Sequence, residues 1–219
     1  MKAIVLLSGG LDSTVLASYL LAEGNQVECL SFNYGQKHRA ELSAASGIAA
    51  ALGVKHTIAE LAALKPLLGG SSQTDDGIAV PEGHYADDSM RVTVVPNRNM
   101  IMLSVAAGFA ISQGFDAVAI SNHAGDHAVY PDCRSIFVEK MRTALRLCHY
   151  TPIELVAPFT EKSKAEIVTV GSRLGAPVHL SRSCYKAGIR HCGKCGTCVE
   201  RREAFQLAGV SDPTEYDPS

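Results

Sequence analysis

AIVLLSGGLDST, residues 3–14, is the stretch that decides the fold. Its first five residues are apolar without alternation, as in a strand buried on both faces of a parallel sheet. Ser8-Gly9-Gly10 then turns the chain. Leu11, Val15, Leu16, Tyr19 and Leu20 follow with helical spacing, and Gly24 is a helix stop. A strand, a glycine turn and a helix start together make an anion site. The first-turn N–H groups lack intrahelical partners, the helix end carries positive potential, and adjacent glycines let the backbone wrap around phosphate oxygens. Ser8, Ser13 and Thr14 add hydroxyl groups. Asp12 is out of place beside an anion unless a Mg²⁺ lies between them. The string matches neither a Walker A loop nor the dinucleotide fingerprint GxGxxG. A plain helix cap built from Asp12 and Ser13 is the simpler alternative, and the full SGGxDS string after a buried strand argues against it.

The same alternation continues outward. Residues 27–32 read as a second strand, 38–52 as an alanine-rich helix ending at Gly53, and 54–58 as a third strand. Between about 66 and 91 the pattern lapses into turn chemistry: Gly69-Gly70-Ser71-Ser72, Asp75-Asp76-Gly77 and Pro81-Glu82-Gly83. A stretch this long without regular structure suits a lid or binding loop. A helix over 99–113, a strand over 117–121, a helix over 133–148 and a strand over 153–156 follow. Ser163-Lys164-Ala165-Glu166 is a capping box opening a helix to about 174. A cysteine-rich loop, a helix over 199–207 and a polar tail over 211–219 complete the chain. The expected fold class is α/β, a doubly wound and mainly parallel sheet. Residues 1–180 would form the α/β domain, and 181–219 a cysteine-bearing segment with a C-terminal helix.

Composition narrows the function classes. Of 219 residues, 47% are hydrophobic, enough for a sizeable core. The formal net charge of −2 lacks the basic excess of a protein that grips nucleic acid by its backbone, so no direct nucleic-acid binding is expected. The run after Met1-Lys2 is too short for a leader or a membrane span, and no later apolar stretch is long enough. A soluble, cytoplasmic protein is the expectation.

Cys184, Cys192, Cys195 and Cys198 are spaced C-x7-C-x2-C-x2-C. Four thiolates satisfy a tetrahedral Zn²⁺ and leave no open position, so the ion would be structural. An iron–sulfur cluster takes the same ligands. His191 is surplus to such a set.

Several other residues suit a site. Arg98 and Asn99 open a helix after Pro96, where a guanidinium can hold a carboxylate or phosphate in two-point fashion. Asp126, Tyr130, Asp132, Cys133 and Arg134 follow a strand end, where open α/β sheets bind ligands. An Asp there can accept a pair of N–H donors from a ligand. His38 is a candidate acid or base. Glu41 is as readily a solvent-facing helix residue. Lys162 and Lys164 lie near a helix start, unfavourable for cations without a bound anion. His123 and His127 flank Gly125 and Asp126 without an obvious further ligand.

SGGLDST resembles the PP-loop of the ATP pyrophosphatase superfamily, the adenine nucleotide α-hydrolase-like fold. Further blocks resemble the 7-cyano-7-deazaguanine synthase family, in order from about Ala3 to Tyr216. They are Asn33-Tyr34-Gly35-Gln36-Lys37-His38-Arg39-Ala40-Glu41, Val95-Pro96-Asn97-Arg98-Asn99, Tyr130-Pro131-Asp132-Cys133-Arg134, Lys164-Ala165-Glu166-Ile167, Ser183-Cys184-Tyr185 and the cysteine block. The resemblance implies an ATP-dependent ligase forming C–N bonds. It would join 7-carboxy-7-deazaguanine to ammonia through an acyl-adenylate, giving the amide and then the nitrile. ATP, Mg²⁺, a structural Zn²⁺ and a homodimer are implied. ATP would contact Leu7, Ser8, Gly9, Gly10, Leu11, Asp12, Ser13, Thr14, Gln36, His38, Arg98 and Lys164, with Asp12, Ser13, His38 and Lys164 acting in catalysis. The base would meet Tyr34, Arg98, Asn99, Asp126, Tyr130, Asp132, Cys133 and Arg134. Two departures fall where substrate should bind: Asn97 stands where the family often has Gly, and Ala128-Val129 where it commonly has Ser-Gly. A member that stops at the amide is therefore one alternative. Another is a tRNA-base thiolating enzyme with Cys133 as sulfur carrier, and a third is a non-catalytic zinc module.

Overall fold

Strand periodicity sends Ala3, Val5 and Leu7 to one face of a sheet and Ile4 and Leu6 to the other, and both faces are covered. The computed structural model describes residues 1–37, 39–85, 88–186 and 188–218. Strands β1 (Lys2–Leu6), β2 (Gln26–Asn33), β3 (His56–Glu60), β4 (Ala117–Ala119) and β5 (Glu154–Val156) form one parallel sheet in the order β3-β2-β1-β4-β5. Helices α1 (Leu11–Ala22), α2 (Ala40–Ala51), α5 (Lys164–Arg173) and α6 (Gly196–Ala208) supply Leu16, Ile48, Ile167 and Phe205 to the layer over Val5. Helices α3 (Arg98–Ser112) and α4 (Ser135–Leu147) supply Leu103, Ala106, Val138 and Met141 to the layer over Ile4. The fold is the doubly wound α/β sheet expected. Strand order reverses between β1 and β4, and open sheets of this kind bind ligands outside the strand ends at that switch.

Where the elements deviate from the periodicity, local bonds explain it. β3 begins at His56 because Val54 N–H bonds back to the Ala49 carbonyl (3.0 Å), closing α2 across Gly53. α6 begins at Gly196, three residues before its apolar pattern starts, because the Cys198 amide bonds to the Cys195 carbonyl (2.9 Å) and makes the metal-type loop its first turn. Part of the 66–91 stretch is packed: Ser71, Ser72, Gln73 and Thr74 are buried, and Ser72 N–H bonds to Val92 O (2.8 Å). Short 3₁₀ turns, Ala62–Leu67 and Asp88–Thr93, flank it. The capping box at α5 forms as the pattern predicts, with Ser163 accepting from the Glu166 amide and Glu166 from the Ser163 amide. No helix among the described residues is long and apolar enough to cross a membrane.

Two close approaches position the site. A Cβ on Gly171 would lie 2.6 Å from Val15, so only glycine lets α5 settle on α1. Gly9 has φ +86, and a Cβ there would sit 2.2 Å from the Glu41 carbonyl oxygen, so the loop after β1 packs directly under α2.

Asn97 precedes α3 in the left-handed region, φ 56 and ψ 21. That conformation disfavours most side chains by about 1–2 kcal/mol, while Gly and, to a lesser degree, Asn tolerate it. The exchange of Gly for Asn thus keeps the turn that aims Arg98. Asn97→Gly should leave stability within a few tenths of a kcal/mol. Asn97→Val should cost about 1–2 kcal/mol; urea unfolding of both variants checks this.

Candidate active site

The C-terminal strand ends and the N-termini of five helices, α1, α2, α3, α5 and α6, converge on one cavity of about 230 Å³. Leu6, Leu7 and Ser8 come from the end of β1, Ser31 and Phe32 from β2, and Ser121 and Asn122 from just past β4. Asp12, Glu41, Arg98, Asn99 and Lys164 stand at helix starts, and Ser183, Tyr185 and Thr197 come from the cysteine segment. Tyr85, from the 66–91 stretch, closes one side.

The glycine turn is held by its own hydroxyls. Ser13 Oγ accepts from the Ser8 amide (3.2 Å) and donates to Gly10 O (3.2 Å), while Thr14 Oγ1 donates to Gly10 O (2.7 Å). Gly10 caps α1 without a side-chain bond, which leaves the first-turn amides of the helix without a capping group. Ser8, Gly10, Leu11 and Asp12 line the cavity; Gly9, Ser13 and Thr14 do not, and shape the turn from behind.

Below the turn lies a buried charge cluster. Lys164 Nζ donates to Asp12 Oδ2 (2.7 Å) and pairs with Glu200 Oε2 (3.1 Å). Burial alone would lower the Lys164 ammonium, but Asp12 and Glu200 reverse this and hold it charged. Burial alone would likewise raise the Asp12 carboxyl, and Lys164 with His123 brings it below the usual range. His123 Nδ1 accepts from the Gly125 amide (3.1 Å), and its Nε2 faces Asp126 Oδ1 (3.4 Å) and Glu200 Oε1 (3.8 Å). Glu200 had no sequence signal, because it reads as one more charge on the α6 repeat. In the sequence His123 is marked only by flanking Gly125 and Asp126 together with His127.

Arg98 stands centrally, acting on Tyr34 and Glu41 on one side and on Tyr130, Cys133 and Tyr185 on the other. It forms no ion pair among the described residues. Glu41 lines the cavity, and burial raises its carboxyl to about 7 against the opposing pull of Gln36 and Arg98. Asp126 accepts from Tyr85 OH (3.0 Å) and from the His123 amide (3.0 Å). Cys133 lines the cavity with its thiol held protonated by burial and by the charges of Asp126 and Asp132, an environment opposed to a sulfur carrier.

Other expected contacts have structural duties. Gln36 is buried and donates to Phe32 O (3.0 Å) and Glu41 Oε1 (3.0 Å). Asp132 Oδ2 accepts from the Asn99 amide (3.0 Å) and so caps α3 from outside the cavity. Arg134 is exposed and donates to His127 O (3.0 Å). Tyr130 is buried behind the wall, its hydroxyl shared with Thr93 (2.6 Å) and Tyr185 (3.2 Å). Ala128 and Val129 do not line the cavity, and Val129 packs with Met90 and Tyr130. His38 lies outside the described residues.

The four cysteine sulfurs gather within 4.8 Å of one another, with pairs at 3.5 and 4.0 Å. A single ion with metal–sulfur bonds of about 2.3 Å would hold tetrahedral sulfurs about 3.8 Å apart, so the donor set fits one ion. Amides of Lys186, Cys192, Lys194 and Cys195 donate to these sulfurs at 3.3–3.4 Å, as thiolate ligands require. His191 Nε2 accepts from the Ser183 amide (3.1 Å) and stands outside the set. Buried Arg201 ties this segment down through Ser181 (2.9 Å), Val178 O (3.1 Å) and Asp212 (3.3 Å).

A doubly wound parallel sheet with a glycine turn at its switch point places the chain in the PP-loop class of adenine nucleotide hydrolase-like folds, and the cysteine cluster belongs to its C-terminal segment. The fold is shared with the U34-tRNA thiolase NcsA from Methanococcus maripaludis, at TM-score 0.51 and 19% identity over 97% of this chain and 74% of that one. Within that class the chain belongs to the family described as "Queuosine biosynthesis protein QueC", whose model matches residues 2–209. It is 51% identical to the 7-cyano-7-deazaguanine synthase of Allorhizobium ampelinum, covering 99% of this chain and 93% of that protein. The corresponding figures are 52%, 99% and 92% for the synthase of Rhizobium etli, and 50%, 99% and 94% for that of Brucella ovis.

A buried carboxyl raised from 4.5 to about 7 binds more protons folded than unfolded in that window, so its contribution to stability is lost as pH rises through it. Urea unfolding at about pH 5 and about pH 7.5 should show that Glu41→Gln loses less stability over this interval than the native chain.

Proposed function

We propose that this chain makes 7-cyano-7-deazaguanine from 7-carboxy-7-deazaguanine, ammonia and two molecules of ATP. Family membership and the names of relatives about half identical to it support the product. The observation that carries the chemistry is the cavity itself: an amide-rich anion site at one end and, facing it, Arg98 without a carboxylate partner among the described residues.

The chemistry follows from leaving groups. A carboxylate oxygen departs poorly as hydroxide or oxide, whereas the same oxygen carried off on AMP departs well. Converting a carboxylate to a nitrile removes two oxygens, so two adenylations balance the reaction: acid, ammonia and two ATP give nitrile, two AMP and two pyrophosphates. Arg98 would orient the acid by two-point contact with its carboxylate. The first-turn amides of α1, with Ser8, would hold the phosphates and steady the charge on departing pyrophosphate. Lys164, held charged between Asp12 and Glu200, would add a cation at the same end. Asp12 Oδ1 is buried without a hydrogen-bond partner and is the group suited to a Mg²⁺, which supplies Lewis-acid neutralisation when bound. On the base side, Asp126 would offer an acceptor for the N–H groups of a purine edge, and Tyr85 and Tyr185 wall the cavity.

The four cysteines would hold Zn²⁺ as a closed structural site. The purified chain should carry one zinc per molecule by elemental analysis, and Cys195→Ser should lose the metal and lower the melting temperature.

The direct test incubates the chain with the acid, Mg-ATP and ammonium, and follows base and nucleotide by mass spectrometry. Nitrile with two AMP per base is expected. Amide that persists in excess ATP would make the chain an amide synthetase, and no acid-dependent AMP would overturn the proposal.

A further inference from the structure

We propose that Glu41 is the general base that takes the proton released when ammonia adds to the activated carboxyl carbon. The inference rests on the reaction proposed above and assigns a residue to its nitrogen step. Glu41 is the second residue of α2, anchored where its backbone oxygen packs against Gly9, and its side chain lines the cavity.

Its carboxyl is held at one end and open at the other. Oε1 accepts from Gln36 Nε2 (3.0 Å). Gln36 is itself immobilised, donating to Phe32 O and accepting from the Tyr34 amide (2.9 Å). Oε2 accepts no hydrogen bond among the described residues. The other cavity carboxyls differ in this respect: Asp12 pairs with Lys164 through Oδ2 and its Oδ1 is the atom suited to a cation, while both oxygens of Asp126 already accept, from Tyr85 and from the His123 amide. The ionisable groups acting across the cavity on Glu41 are Arg98, which favours its carboxylate, and Tyr34, which is neutral at working pH because burial raises its hydroxyl to about 12. Burial outweighs Arg98 and brings the Glu41 carboxyl to about 7, where a carboxylate is basic enough to accept a proton and is still largely ionised above neutrality. Arg98, the cation suited to the acid's carboxylate, is thus next to the group suited to the proton.

The step balances. The ammonia lone pair forms the new N–C bond, the C–O bond to AMP breaks with its electron pair leaving on AMP, and one N–H proton passes to Glu41 Oε2. Solvent regenerates the carboxylate.

The test compares two nucleophiles on the full chain. Hydroxylamine is the stronger nucleophile and depends less on a base. With the acid and Mg-ATP, Glu41→Gln should retain acid-dependent pyrophosphate release and hydroxamate formation within about threefold, while amide formation from ammonia falls by about 10²–10⁴. Parallel loss with both nucleophiles, loss of pyrophosphate release, or no loss at all would overturn the role. An independent measurement uses the native chain at fixed free ammonia. Its ammonia-dependent turnover should fall as one proton is added below about pH 7. Hydroxamate formation should stay level across the same range, and equal pH profiles for both nucleophiles would overturn the role without any variant. Absence of acid-dependent pyrophosphate release from the native chain would instead remove the reaction itself, a distinct failure that takes the role of Glu41 with it.

Discussion

The ion pair between Lys164 and Asp12 spans 152 positions of sequence, and the site depends on it. An exposed pair of this kind is worth about 0–1 kcal/mol. Here both side chains are largely buried, so losing one partner would strand the other at a cost of about 3–5 kcal/mol. The pair fixes the start of α5 against the start of α1, and Glu200 adds α6 to the same junction. Gly171 makes the approach possible, since any side chain there would collide with Val15. The cation at the glycine-turn end of the cavity is therefore a product of helix packing.

The cysteine segment is part of the cavity wall. Ser183 and Tyr185 flank Cys184, Thr197 lies between Cys195 and Cys198, and all three line the cavity. The 66–91 stretch is strapped to the same segment: Glu82 bridges to Cys195, Gly83 bonds to Lys194 O, and Lys186 pairs with Glu82. That strap carries Tyr85 to Asp126. An ion gathering the four sulfurs would thus stiffen the side of the cavity that Ser183, Tyr185 and Thr197 line. Arg201 completes the attachment, its buried guanidinium donating to Ser181, Ser183, the Val178 carbonyl and Asp212.

Electrostatics divides the cavity. At the glycine turn, Lys164 and open helix amides favour negative charge. At the centre, Arg98 faces neutral tyrosines and a carboxyl that burial has made only half ionised near neutrality. Cys133, in contrast, is kept protonated by burial and nearby acids, so it serves as wall and not as nucleophile.

Much of this was legible in the chain alone. The unbroken apolar run before Ser8, the helical spacing after it and the turn chemistry at Gly9-Gly10 determine a parallel α/β sheet with a glycine turn opening a helix, because strand and helix periods are local properties. The Ser163 box and the cysteine spacing are local in the same way, and both formed as read. Long-range geometry was not legible. Asp132, Gln36 and Arg134 read as ligand contacts because they sit in blocks that resemble a family, and only packing shows that they cap, brace and face outward. Glu200 carried no signal and Glu41 read as readily as a solvent-facing residue as a site residue, since helical spacing reports which face a residue is on and not what lies opposite. Sequence by itself determined the sheet, the turn and the sulfur set. Tertiary structure alone decided which charges are buried together, because that depends on contacts between segments more than a hundred residues apart.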